Sequence, residues 1–86
     1  MRMWGKLWKD HHLLKDTVAE DFSDDTRTHK VFSCLRMICM EFDLEVPQWL
    51  SVNISEFQKT AKARFTKDNF IEETDFDCLE IQVIEE

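Results

Sequence analysis

Two histidines beside an aspartate are the first side chains in the chain that could do chemistry. The run Asp10-His11-His12 supplies three potential metal ligands. Adjacent residues of a strand point to opposite faces, however, and the histidine spacings typical of zinc sites do not occur. A solvated turn accounts for the cluster, so we predict no metal site here.

Cysteine chemistry would need a thiolate with a positioned partner. The chain has three cysteines, Cys34, Cys39 and Cys78, and no C-x-x-C pair. Positions five apart on a helix are rotated by about 140°, so Cys34 and Cys39 cannot form a disulfide there. A catalytic cysteine assisted by His12 or His29 would need backbone N–H groups at an oxyanion, and no glycine lies near to place them. We expect three free thiols, as in a reduced cytoplasmic protein.

Paired carboxylates are a third possibility. Asp75, Asp77 and Glu80 lie close in sequence and could share general acid–base work. A charged strand edge that resists unwanted pairing accounts for them equally well. The single glycine also excludes phosphate-binding loops and the Rossmann fingerprint. We therefore predict a protein that is not an enzyme and has no cofactor, with a small hydrolase or metal enzyme as the disfavoured alternative.

The charge of the chain argues against broad nucleic-acid binding. Eleven basic and 18 acidic residues give a net charge of −7, which repels phosphate backbones. The charged residues from Glu72 to Glu86 are all acidic, whereas the segment from Lys59 to Lys67 is basic. That segment supports an alternative function, a nucleic-acid-associated regulator, which would use Lys59, Lys62, Arg64 and Lys67.

These side chains need elements to position them, and the first is a β-hairpin over Met3–Glu20. Its two-residue tip is Asp10-His11. In the simplest register Trp8 lies opposite Leu13, so one face carries Met3, Leu7, Leu14 and Val18, and the other carries Trp4, Trp8 and Leu13.

Two observations oppose this hairpin register. The turn lacks the Asn-Gly chemistry of tight hairpins, and Lys6 would lie opposite Lys15. A helix over Leu7–Ala19 is the competing interpretation. The hairpin remains the prediction, because most of its apolar residues favour strands.

The centre of the chain predicts two helices. Residues Thr26–Leu44 form the longer one, capped by Asp24 or Asp25 and ended before Pro47. Its apolar stripe is Val31, Leu35, Ile38 and Phe42. A shorter helix follows over Ile54–Ala63.

The rest of the chain predicts a loop and a strand. The loop covers Arg64–Asp75, and the alternating pattern of Phe76–Ile84 predicts the strand. Residues 1–86 then form one small α+β domain of order ββααβ, with a three-stranded antiparallel sheet and two helices packed on it. No apolar run is long enough to span a membrane.

The tryptophan face of the hairpin is the best candidate site. Exposed tryptophan is typical of interface anchors, so Trp4, Trp8 and Leu13 are the predicted partner-binding residues. Either the short helix covers them with Trp49 and Phe57, or a partner does. We favour a cytoplasmic protein–protein interaction module of otherwise unknown role that forms a homodimer.

Three segments carry a resemblance to known sequences: Met3-Trp4-Gly5-Lys6, Arg64–Glu72 and Phe76–Glu86. They resemble segments of short uncharacterised proteins of clostridial type from Firmicutes. The resemblance extends over nearly the whole chain. The resemblance implies a small bacterial protein of unassigned role. It implies no activity, ligand or catalytic residue.

Overall fold

The computed structural model describes all 86 residues. It is an α+β fold in which one antiparallel sheet of four strands carries two helices. The elements are β1 Arg2–Lys9, β2 His12–Glu20, α1 Arg27–Glu41, α2 Ser51–Thr60, β3 Lys62–Phe65, a 3₁₀ turn Lys67–Asn69, and β4 Cys78–Glu85. The strand order is β2-β1-β4-β3. No helix is both long enough and apolar enough to cross a membrane.

The hairpin between β1 and β2 has the predicted two-residue tip. Asp10 and His11 both adopt positive φ, 52° and 64°, as a type I′ turn requires. Aspartate is among the residues that tolerate this conformation. The Oδ2 of Asp77 also accepts a hydrogen bond from the backbone N–H of Asp10 at 2.7 Å, which ties the tip to the start of β4.

The register of the hairpin differs from the prediction away from the tip. Trp8 lies opposite Leu13 as expected, but an irregularity between Leu7 and Trp8 shifts the remaining pairs by one residue. Leu14 and Val18 are consequently exposed rather than in the core, which corrects the predicted apolar face. The shift places Asp16 opposite Lys6, where the simple register would have placed Lys15.

The fourth strand corrects the three-stranded prediction. Helix α2 ends at Thr60, three residues earlier than predicted, because Ala61 takes a left-handed conformation with φ of 58°. The chain then runs antiparallel to β4, with Ala63 opposite Ile81 and Phe65 opposite Leu79. Four residues that include two bases give little strand signal, and sequence reasoning divided them between a helix and a loop.

The predicted stripe of α1 forms the centre of the core. Its members are all buried: Val31, Leu35, Ile38 and Phe42. The helix begins at Arg27, and its cap is Thr26, whose Oγ1 accepts from the N–H of His29 at 3.2 Å. Neither predicted aspartate caps it; Asp25 accepts from the N–H of Thr26 and contacts the His29 ring instead.

Glycine is needed where α1 crosses β1. A Cβ added to Gly5 would lie 2.5 Å from Cγ2 of Ile38, closer than real contacts of this kind come. The single glycine of the chain therefore lets the helix pack directly on the strand backbone.

Helix α2 packs on the same side of the sheet as α1. Trp49 joins the two layers, since its ring meets Phe32 of α1, Phe57 of α2 and Phe65 of β3 edge-on. Three large apolar residues of α2 and the segments around it are exposed: Leu50, Val52 and Ile71.

Two buried asparagines hold the segments around α2 together. Asn69 donates to the carbonyl of Gln48 at 2.8 Å and to Oδ1 of Asn53 at 2.6 Å, and its own Oδ1 accepts from the N–H of Thr66. Asn53 in turn donates to the carbonyl of Arg64. These side chains satisfy backbone groups that neither a helix nor the sheet can reach.

Candidate interaction surface

The side of the sheet that faces away from both helices is the candidate site, and we call it the open face. Side chains alternate across a strand, so the register assigns them to four parallel rows, the last of which is Glu20, Arg2 and Glu85. The first row is Val18, Trp4, Gln82 and Lys62; the second is Asp16, Lys6, Glu80 and Arg64; the third is Leu13, Trp8 and Cys78.

The predicted partner-binding residues share this face. Trp4, Trp8 and Leu13 lie on it, with the two indoles half-buried by their neighbours and Leu13 44% exposed. Helix α2 does not cover them, because Trp49 and Phe57 pack on the opposite side of the sheet. The expectation that the short helix shields this face is therefore wrong.

The second row, which we call the charged row, alternates in sign across all four strands. Lys6 Nζ lies 3.4 Å from Glu80 Oε1, and Arg64 Nε lies 3.6 Å from Glu80 Oε2. Asp16 is the cross-strand neighbour of Lys6 on its other side. Opposite charges directly across a sheet stabilise the pairing of strands.

The tryptophans direct their N–H groups into the charged row. Trp4 Nε1 donates to Asp16 Oδ2 at 2.8 Å, and Trp8 Nε1 donates to Glu80 Oε1 at 3.2 Å. The ammonium of Lys6 lies 3.9 Å from the centre of the Trp4 ring. Because the polar atoms are paired within the face, each indole is held in place and presents mainly hydrocarbon to a partner.

Glu80 is the most strongly perturbed acid of the open face. It is only 8% exposed, and burial opposes its charge. The Lys6 ammonium, the Trp8 N–H and the Arg64 guanidinium together outweigh burial, so the pKa of Glu80 lies below its ordinary value. The carboxylate is therefore ionised at neutral pH and acts as the centre of a fixed network.

The basic segment is divided among three elements. Lys62 and Arg64 extend from β3 onto the open face, Lys59 belongs to α2, and Lys67 begins the 3₁₀ turn. Two of the four predicted nucleic-acid contacts thus lie on the same face as the tryptophans, with β4 between them. Sequence reasoning missed this juxtaposition because it depends on the unpredicted strand β3.

The other chemistry-bearing residues occupy separate places. No group of three or more histidine, cysteine, aspartate or glutamate side chains is arranged to hold a metal. Asp77 supports the hairpin tip, and Glu80 lies in the charged row, so these two acids serve different networks. Burial raises the pKa of all three thiols, that of Cys39 to about 11, and none is paired.

Comparison with known proteins yields no match to a family model, to a curated protein or to a solved structure. The resemblance to the short clostridial proteins stays a prediction. The open face defines a candidate site by its geometry alone.

Proposed function

We propose that this protein is a non-catalytic interaction module that self-associates through the open face. The observation that carries the proposal is the position of Trp4, Trp8 and Leu13 on a side of the sheet that neither helix covers. Large, rigid aromatic side chains that are partly shielded from water are typical anchors of protein interfaces.

A second copy fits the charged row. When two sheets meet face to face about a two-fold axis that runs along the strands between β1 and β4, the row of one copy meets the reversed row of the other. Asp16 then lies opposite Arg64 of the second copy, and Lys6 opposite Glu80. A row that alternates in sign is complementary to its own reverse.

The area of the face sets the strength of this dimer. Three strands of eight or nine residues and one of four span roughly 19 Å across and 27 Å along the longer strands, or about 450 Å² per copy. About 900 Å² in total is below the size of most specific complexes and in the range of weak, transient ones. We expect a dimer that forms in the micromolar range and dissociates on dilution.

Analytical ultracentrifugation over a wide concentration range tests the proposal. The parent protein should pass from monomer to dimer as its concentration rises, and Leu13→Lys should weaken the dimer by about tenfold or more. Ile71→Lys is the matched control, because Ile71 is 79% exposed but lies outside the sheet. A parent that stays monomeric at millimolar concentration contradicts self-association.

Nucleic-acid regulation remains the second proposal because Lys62 and Arg64 lie on the same face of the sheet as the tryptophans. Lys6 already occupies one side of the Trp4 ring, and Arg64 is paired with Glu80, which leaves few free groups for bases and phosphates. Anisotropy of labelled single-stranded RNA and DNA, measured at several salt concentrations, distinguishes the two. Binding that weakens with salt and on Lys62→Gln would support this second function.

A further inference from the structure

A groove between the two helices lies on the opposite side of the sheet from the open face. Its volume is about 360 Å³, within the range of small-molecule sites. The wall is mainly apolar and aromatic, and its principal side chains are Arg27, Val31, Phe32, Trp49, Ile54 and Phe57. We call it the interhelical groove.

The aromatic wall of the groove is fixed and partly exposed. Trp49 contacts Phe32 and Phe57 edge-on, with ring centres 6.2 and 5.5 Å apart. Phe32 is nevertheless 46% exposed and Ile54 is 45% exposed, one from each helix. An apolar ligand between Phe32 and Ile54 would remove their exposed surface from water, which is favourable.

A cation at the groove already holds a carboxylate. Arg27 donates from Nε and Nη2 to the two oxygens of Glu86, at 3.0 and 3.2 Å, in the paired geometry that arginine forms with carboxylates. The same guanidinium lies 5.5 Å from the centre of the Phe57 ring. Both groups of the ion pair are about half exposed, so another carboxylate can compete with Glu86.

Trp49, one of the residues that line the groove, carries an unpaired hydrogen-bond donor. Trp49 Nε1 is buried and has no acceptor in the protein. Buried donors are normally paired, and an unpaired one is unfavourable.

We propose that the interhelical groove binds a small amphiphilic carboxylate, a medium-chain fatty acid in its simplest form. The hydrocarbon part packs against Phe32, Trp49 and Ile54. The carboxylate takes the place of Glu86 on Arg27. Glu86 therefore occupies the anion position until a ligand displaces it.

Titration with decanoate, followed by ¹H–¹⁵N spectra, tests this proposal. The chain has three tryptophans, and Trp49 alone lies at the groove. Its indole N–H signal should shift and saturate, while those of Trp4 and Trp8 stay unchanged. Decanol, which has the same chain length without the charge, should bind at least about tenfold more weakly.

Charge variants locate the carboxylate. Arg27→Gln should weaken decanoate about tenfold, and Glu86→Gln should strengthen it by removing the competitor. Arg2→Gln is the matched control, since Arg2 also pairs with glutamates but on the sheet. The proposal is overturned if the indole shifts do not saturate, or if the signals of all three tryptophans shift. It is also overturned if the affinity for decanoate is the same in the parent, Arg27→Gln and Glu86→Gln.

Discussion

At the scale of single residues, Gly5 and Glu80 show how one position can determine what surrounds it. Gly5 removes a side chain so that Ile38 can approach the strand backbone. Glu80 supplies a charge that three neighbours share: Lys6, Trp8 and Arg64. The contact between Gly5 and Ile38 could not be predicted from the sequence, because a glycine contributes nothing to a hydrophobic pattern. The network around Glu80 could not be predicted because it depends on the register of three strands.

Gly5→Ala should lower the free energy of unfolding by about 1–3 kcal/mol, because the new methyl group overlaps Ile38. Urea melts measure the loss. Ile38→Ala removes all three atoms that would crowd the new Cβ, which are Cγ2, Cδ1 and Cγ1, and alone should cost about 2–5 kcal/mol. The double variant should therefore lose less than the sum of the two, and strict additivity would contradict the contact.

Glu80→Gln should destabilise the protein at neutral pH and lose that effect in acid. The lowered pKa of Glu80 means that folding favours its ionised form. Its contribution is complete above the unfolded pKa, near 4.5, and disappears as pH falls through the lower folded pKa. Stability curves at several pH values should converge below pH 4.5 for parent and variant. A curve for Glu80→Gln that runs parallel to the parent at every pH would contradict the network.

At the scale of elements, periodicity determined what could be predicted. Helix α1 and strand β4 carry long, regular patterns, and both form close to the predicted bounds. Strand β3 has four residues, and its pairing depends on β4, which is distant in sequence. The candidate residues Trp4, Trp8 and Leu13 were correctly placed on one face, but local patterns left open whether the short helix covers that face.

The hydrogen bonds of Asn53 and Asn69 should hold α2 and β3 in place. Asn69→Ala removes the partner of the buried Asn53 Oδ1 and of two part-buried groups, the N–H of Thr66 and the carbonyl of Gln48. A buried group left without a partner costs about 1–3 kcal/mol. Chemical denaturation should show the loss, while Gln58→Ala, an exposed change on α2, should be nearly neutral. Hydrogen exchange should rise first in β3. Equal stability of Asn69→Ala and the parent would show that the network contributes nothing.

At the scale of the whole molecule, acidic and basic residues are unevenly distributed over the surface. The net charge of −7 is concentrated away from the sheet, around a cleft of about 450 Å³ whose lining includes Asp43, Glu45, Glu72, Glu73 and Asp75. The open face instead carries both signs in an alternating row. Two copies can therefore meet through the open face with their acidic loops turned outward, although each copy as a whole repels the other.

Mixing two charge-reversed variants tests this central claim most directly. Asp16→Lys places like charges opposite Arg64 of a second copy, and Arg64→Glu does the same opposite Asp16, so each variant alone should stay monomeric. In an equal mixture the reversed charges face each other, and sedimentation should reveal a heterodimer about as strong as the parent dimer. Circular dichroism of each variant confirms that it is folded. If both variants dimerise alone, or if their mixture stays monomeric at concentrations where the parent associates, the charged row does not form the interface.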